Sequence, residues 1–241
     1  MKLQKIVIGL AGVGLLLIGA VWFFFIRSDA PPEASLEDAV AAVGEDAIAD
    51  TGSGSGDSIG ADGVDGLDGA WVVDQGLSFV GYRITEELAS IGATTAVGRT
   101  SDVVGTLTFA GTQVTELSVS VDMTTLQSDR SRRDSAMRTR GLETDTFSTA
   151  AFVLSEPIEL GAAPREGETV NVTAVGELTV HGTANTVSID FEGSLVEGTM
   201  VVVGSADVVL TDYAIEAPTG FSVVSIADTG TIELQLAFVR G

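Results

Sequence analysis

From Trp71 onward this chain alternates apolar and polar side chains with a period of two, and that pattern restricts the fold more than any other feature. Leu117, Val119, Val121 and Met123 alternate with Ser118, Ser120, Asp122 and Thr124. Val170, Val172, Ala174, Gly176, Leu178 and Val180 alternate with Asn171, Thr173, Val175, Glu177 and Thr179. Ile232, Leu234, Leu236 and Phe238 share one face against Glu233 and Gln235, and Phe152 with Leu154, then Val187 with Ile189 and Phe191, continue the theme. Successive side chains on a strand point to opposite faces, so each segment has one dry and one wet side. Turn signals at Gly111, Gly161 to Gly167, Gly182 and Gly193 separate the segments, and no long helical pattern interrupts them. The class is all-β with antiparallel pairing. A sandwich and a barrel both satisfy the pattern; eight or so long strands suit a closed barrel, which leaves no exposed edge.

The first 69 residues read differently. Ile6 to Ile26 is a run of 21 residues without a charged side chain. As a helix it would extend about 31 Å, enough to cross a hydrocarbon core. Trp22, Phe23, Phe24 and Phe25 gather at its far end, and Lys2 and Lys5 precede it. Aromatic side chains suit an interface, and the lysines place the N-terminus in the cytoplasm. Residues 1–28 are therefore expected to be a transmembrane signal-anchor, with everything after Arg27 extracytoplasmic, at the cell surface or in a periplasm. Cleavage at Ser28-Asp29-Ala30 and release as a secreted protein is the alternative, but the apolar run is longer than a signal core of about 7–15 residues. Residues 29–69 are expected to be an acidic Gly/Pro-rich linker, with a helix-permissive piece at Leu36 to Val43. Asp57, Asp62, Asp65 and Asp68 do not have the spacing of a calcium loop. The domain proper is 70–241.

Charge bears on partners. The chain carries a formal net charge of −22, which repels nucleic acid over most of its surface. Against that background, five of the ten arginines fall within eleven residues: Arg130, Arg132, Arg133, Arg138 and Arg140. On a helix, Asp129 with Arg133, Arg130 with Asp134, and Asp134 with Arg138 would pair at a spacing of four. Ser128 or Asp129 could cap that helix and Gly141 could end it. Two readings follow, a surface helix paired at home and an anion-binding rim element.

With no cysteine and one histidine, His181, the chain has no thiolate chemistry, disulfides or plausible transition-metal site. His181 closes the segment GELTVHG, where it is expected to hydrogen-bond its own turn. No nucleophile elbow, phosphate loop or dinucleotide fingerprint is present in the folded part. No catalytic residue, metal or cofactor is expected, and the chain is not read as an enzyme.

The order of segments resembles the YceI-like family, described as polyisoprenoid-binding, lipocalin-like proteins. The elements that carry the resemblance are WVVDQGLSFVGYRI, VVGTLTF, LSVSVDMTTLQSDRSRRDSAM, FSTAAFVLSEPI, VGELTVHGTANTV and the closing DYAI and IELQLAFV. The resemblance spans roughly Trp71 to Arg240, and its SDRSRRD and GELTVHG blocks are the most specific. It implies an extended eight-stranded antiparallel barrel with a short helix and an elongated apolar tunnel for a long-chain isoprenoid-type lipid. Departures are Tyr82-Arg83 where many members carry a histidine, Ser148-Thr149 where they carry tyrosine and proline, and the N-terminal anchor itself.

The expected function is thus an extracytoplasmic lipid-binding module for transport, storage or sensing of an amphiphile. Its tail would lie along Phe79, Phe109, Leu117, Val119, Val121, Phe152, Leu154, Leu178, Ile189, Phe191, Leu234 and Leu236. The arginine block would meet its head group. The partners are an isoprenoid-like lipid and the membrane, with a homo-oligomer compatible with the sequence. The alternative is a structural or interaction ectodomain with a side-chain-filled barrel.

Overall fold

The computed structural model of the chain describes residues 30–50, 66–90, 92–218 and 223–241. The alternating segments form strands β1 (Gly69–Leu88), β2 (Gly92–Thr100), β3 (Val103–Ala110), β4 (Gln113–Asp122), β5 (Gln127–Ser128) and β6 (Thr149–Leu154). After these come β7 (Ile158–Glu159), β8 (Thr169–Val180), β9 (Thr183–Val196), β10 (Thr199–Val209), β11 (Val223–Ile226) and β12 (Thr229–Arg240). All named strand pairs are antiparallel, in the order β12-β10-β9-β8-β6-β4-β3-β1, and β12 pairs back with β1 to close an eight-stranded barrel. The choice between sandwich and barrel falls to the barrel, and the reason is closure of the edge between the first and last long strands.

Two-residue turns set the register of the long hairpins. His181 and Gly182, and likewise Glu197 and Gly198, all have positive φ, the conformation of a tight hairpin turn whose twist matches the strands. β1 is the exception to regular pairing. Its partnership with β12 shifts between Asp74 and Phe79, and Asp74 accepts the Gly76 N–H at 2.8 Å. This bulge flips the parity of the strand. Before it Trp71 faces the interior; after it the inward residues are Val80, Tyr82, Ile84 and Glu86. Phe79 therefore faces outward, with the Arg99 guanidinium 4.1 Å over its ring. The expectation that Phe79 lines the interior is corrected by that bulge, in which β1 advances five residues while β12 advances two.

The two ends of the barrel are filled differently. At one end Trp71, Phe109 and Phe238 are buried, with Trp71 edge-on to Phe109 at 6.1 Å between centroids. Leu67 plugs this end, and its carbonyl accepts the Trp71 indole N–H at 2.9 Å. The opposite end, where β1 and β10 finish, carries a nine-residue helix, Ser131–Thr139, which we call the rim helix.

The segment expected to be a plain linker is partly built into the fold. A helix over Leu36–Asp50 lies on the outer wall, where Ala39 and Val43 pack on Val201 and Val203. Ser35 caps it, accepting the Asp38 N–H at 3.2 Å. Leu36, Ala39 and Val43 of LEDAVAAV make a narrow apolar stripe, and the outward face of β10 offers Val201 and Val203 instead of polar residues. Each face hides the other from water. A 29–69 linker is thereby corrected over 30–50; residues 51–65 lie outside those described. Among the described residues no helix is long and apolar enough to cross a membrane, and the span read at Ile6 to Ile26 lies outside them.

Candidate functional site

Above the packed end the barrel is hollow. A cavity of about 550 Å³ occupies the half beneath the rim helix. Leu117, Val119, Val121, Phe152, Leu178, Ile189, Phe191, Leu234 and Leu236 all line it. Phe109 belongs instead to a separate void of about 70 Å³ at the packed end. Leu154 packs against the core at the end of β6 and lines neither void.

The hollow is kept open by glycine. Gly176 lies under the Phe152 ring, Gly204 under Phe191, and Gly98 under Tyr82, so that a Cβ at any of the three would collide with the ring above it. Without those side chains the aromatic rings lie flat on the barrel wall rather than projecting across the lumen. The alternation shows Gly176 as an inward position, while Gly98 and Gly204 lie in segments with no such clear period. What it cannot show is which ring covers each, since the partners lie on neighbouring strands.

The polar groups collect at the mouth. The rim helix is preceded by Arg130, and Gly141 follows its last turn at φ 74°. Neither Ser128 nor Asp129 caps it as expected; Asp134 instead accepts from the Ser128 N–H at 2.9 Å and hydroxyl at 2.6 Å. That commitment removes Asp134 from the ion pairs read for it with Arg130 and Arg138. Asp129 pairs with Arg133, as the spacing of four indicated, and with Arg130 at 3.4 Å. Arg133 also reaches into the barrel to Glu86 of β1, 47 residues away in sequence. Burial works against the Arg133 charge, but Glu86 and Asp129 outweigh it and raise its pKa above the ordinary value.

The five arginines thus divide. Arg133 is neutralised, and Arg130 is half-paired at the surface. Arg132, Arg138 and Arg140 make no ion pair among the described residues. Arg130, Arg132, Arg133 and Arg140 line the cavity, whereas Arg138 does not. Two further buried polar atoms in the wall, Arg133 Nε and Tyr213 Oη, have no hydrogen-bond partner among the described residues. Burial raises the Tyr213 pKa, and the neighbouring Asn185 amide is committed to the Asp212 carbonyl at 2.8 Å. Tyr82, over Gly98, is likewise pushed well above the ordinary phenol value, chiefly by burial, with Arg133 opposing.

His181 is placed by its left-handed backbone (φ 52°) rather than by strand parity. Its ring lies tilted at 57° against Phe147 with centroids 4.1 Å apart, and it hydrogen-bonds the Tyr213 carbonyl at 3.1 Å and Glu143 at 3.0 Å. It does not hydrogen-bond its own turn, as the sequence suggested. It ties two other mouth loops together.

A barrel with a glycine-backed apolar hollow and a basic rim defines a class of small β-barrel proteins with internal cavities. The profile of the YceI-like domain matches residues 71–238, and the chain belongs to that family. No curated protein sequence matches it. Among solved structures, it is similar to a polyisoprenoid binding domain from Saccharophagus degradans implicated in plant cell wall breakdown. That likeness has 16% identity and a TM-score of 0.56, covering 71% of this chain and 98% of that one. It is similar also to BcnA of Burkholderia cenocepacia, at 17% identity and a TM-score of 0.54, over 68% of this chain and 98% of that one. At such identities the likeness concerns the fold.

Proposed function

We propose that the barrel holds one amphiphile, with its apolar tail in the cavity and its polar head among Arg130, Arg132, Arg140 and Tyr213. The observation that carries this reading is the segregation inside one void. The cavity walls are aliphatic and aromatic, and its charged side chains gather where the rim helix covers it. A volume of 550 Å³ falls within the range of about 300–1,000 Å³ typical of small-molecule sites. Burial of each methylene contributes about 0.8 kcal/mol, so a long tail binds tightly without any covalent step. The family membership and the polyisoprenoid-binding description of the Saccharophagus protein support an isoprenoid-type lipid as the ligand class. The filled-barrel alternative has no comparable support, since the void beneath the rim is not occupied by side chains.

The apolar run Ile6 to Ile26, preceded by Lys2 and Lys5, supports a membrane anchor with the barrel on the extracytoplasmic side. Organic-solvent extraction of the purified full chain, followed by mass spectrometry, tests the ligand reading: a stoichiometric amphiphile is the expected result. Absence of any extracted lipid, together with no binding of added isoprenoid phosphate, would overturn it. Arg132→Ala combined with Arg140→Ala is expected to weaken isoprenoid phosphate on the order of a hundredfold, on the basis of roughly 1.5 kcal/mol for each of two charge-assisted contacts. Binding of the corresponding alcohol should change less.

A further inference from the structure

We infer that the mouth of the barrel is held against the membrane surface, so that the cavity exchanges its amphiphile directly with the bilayer. The inference rests on the reading of residues 6–26 as a retained anchor and of the cavity as an amphiphile site. What it adds is an orientation.

The orientation follows from a buried ionic pin on the outer wall. Glu233 of β12 is 2% exposed and accepts from Arg83 Nε at 2.8 Å and Arg99 Nε at 2.7 Å. Each guanidinium turns a second nitrogen to the chain before the docked helix: Arg83 Nη2 donates to the Pro31 carbonyl, and Arg99 Nη2 to the Pro32 carbonyl at 2.6 Å. The planar fork of arginine suits this double duty, holding a carboxylate and a carbonyl at once. The pin lies in the mouth half of the barrel. Tyr82 and Ile84, which flank Arg83, line the cavity, and Glu86, three residues on, is the partner of Arg133 in the rim helix.

From Pro32 the chain runs away from the mouth. The helix Leu36–Asp50 packs on Val201 and Val203, with Val196 beside them, at the β9–β10 hairpin of the packed end. Pro31 and Pro32, held at Arg83 and Arg99, therefore lie nearer the mouth than the docked helix does. Four residues, Arg27 to Ala30, lie between Ile26, the last of the apolar run, and Pro31, and the five steps from Ile26 to Pro31 reach at most about 17 Å. A barrel on so short a lead cannot turn its mouth far from the bilayer.

Charge agrees with geometry. Nine arginines are the only basic side chains after Arg27, and five of them lie in or beside the rim helix. A basic side chain near an anionic leaflet contributes about 1 kcal/mol, while the acidic remainder of the domain is repelled. Val224 of β11, which pairs with β1 beside Glu86, is 57% exposed at the same end.

The chain has no cysteine, so single introduced thiols report position cleanly. The full chain, fluorescently labelled at Val224→Cys or at the packed-end site Ala110→Cys, is reconstituted in phosphatidylcholine vesicles containing phosphatidylglycerol and a headgroup-nitroxide lipid. Several-fold stronger quenching at position 224 is expected. Equal quenching, or stronger quenching at position 110, overturns the orientation, as does an intact mass showing that residues 1–28 are removed. Inserting a long Gly/Ser segment between Asp29 and Ala30 leaves the folded part untouched and should reduce the difference; an unchanged difference would mean that the short lead does not set it. Lipid extraction separates the two readings. Bound lipid with no quenching difference overturns the orientation and leaves the ligand reading, and a quenching difference with no bound lipid leaves the orientation but overturns the ligand reading and the exchange with it.

Discussion

The two ends of this barrel are built from the same alternating strands and yet do opposite things. At the packed end Leu67, Trp71, Phe109 and Phe238 fill the lumen and leave a void of about 70 Å³. At the mouth end the inward positions hold smaller or glycine-backed residues, such as Val80, Ala96, Ala150 and Val208, and the void reaches about 550 Å³. Alternation decides which side chains point inward; size and the residue on the adjacent strand decide whether the interior is solid. The packed end supplies stability through close packing. The mouth end forgoes part of that packing and retains space.

Substitutions at the two ends should therefore separate stability from occupancy. The largest effect is expected at the packed end. Trp71→Ala removes a fully buried ring and its hydrogen bond to Leu67, and should cost about 3–5 kcal/mol. Urea unfolding measures this, and a loss below about 1 kcal/mol would show that the packed end is not the source of stability.

Gly176→Ala comes next, because its Cβ meets the Phe152 ring and the Val153 carbonyl. Overpacking of this kind costs about 1–3 kcal/mol, and the displaced ring should also lower the amount of bound amphiphile. Gly193→Ala is the matched control, since its nearest contact would be an ordinary 3.4 Å. Equal effects at the two glycines would refute the role given to the ring.

Val119→Phe places extra volume inside the mouth cavity. Stability should change by less than about 1.5 kcal/mol, while extracted lipid falls markedly. Retention of full lipid binding in this variant would argue that the ligand lies elsewhere.

The smallest effect is confined to alkaline pH. Tyr82 has its pKa raised above its ordinary value of 10.0, mainly by burial. The folded state thus holds its proton more tightly than the unfolded chain. The stability it contributes is complete below about pH 10 and declines as the pH rises toward the folded value. Urea midpoints at about pH 8 and about pH 11 should converge for Tyr82→Phe relative to the parent, with the remaining slope shared by Tyr213. An identical decline in both proteins would assign the alkaline loss to other groups.

What sequence could and could not reveal follows from the range of each interaction. Strand identity and facing are local, so nine of the twelve anticipated lining residues were legible from parity alone. Phe79 was not, because the bulge at Asp74 to Phe79 exists only against β12. The lining residues Tyr82, Ile84 and Glu86 lay in a visible alternation, but reading them as inward required knowing where the bulge fell. Among the arginines, Asp129 with Arg133 is a helix-spacing pair, whereas Arg133 with Glu86 joins residues 47 apart.

By itself the sequence determined an all-β domain after Trp71, its inward faces, its acidic surface and its one basic cluster. These depend on composition and on a two-residue period. Only the tertiary structure decided that Gly98, Gly176 and Gly204 sit beneath rings, that Arg133 is spent on Glu86, and that the chain before the barrel is pinned at Arg83 and Arg99. Each of those depends on which strand lies beside which. Closure of the barrel settles that, and no period within a single strand encodes it.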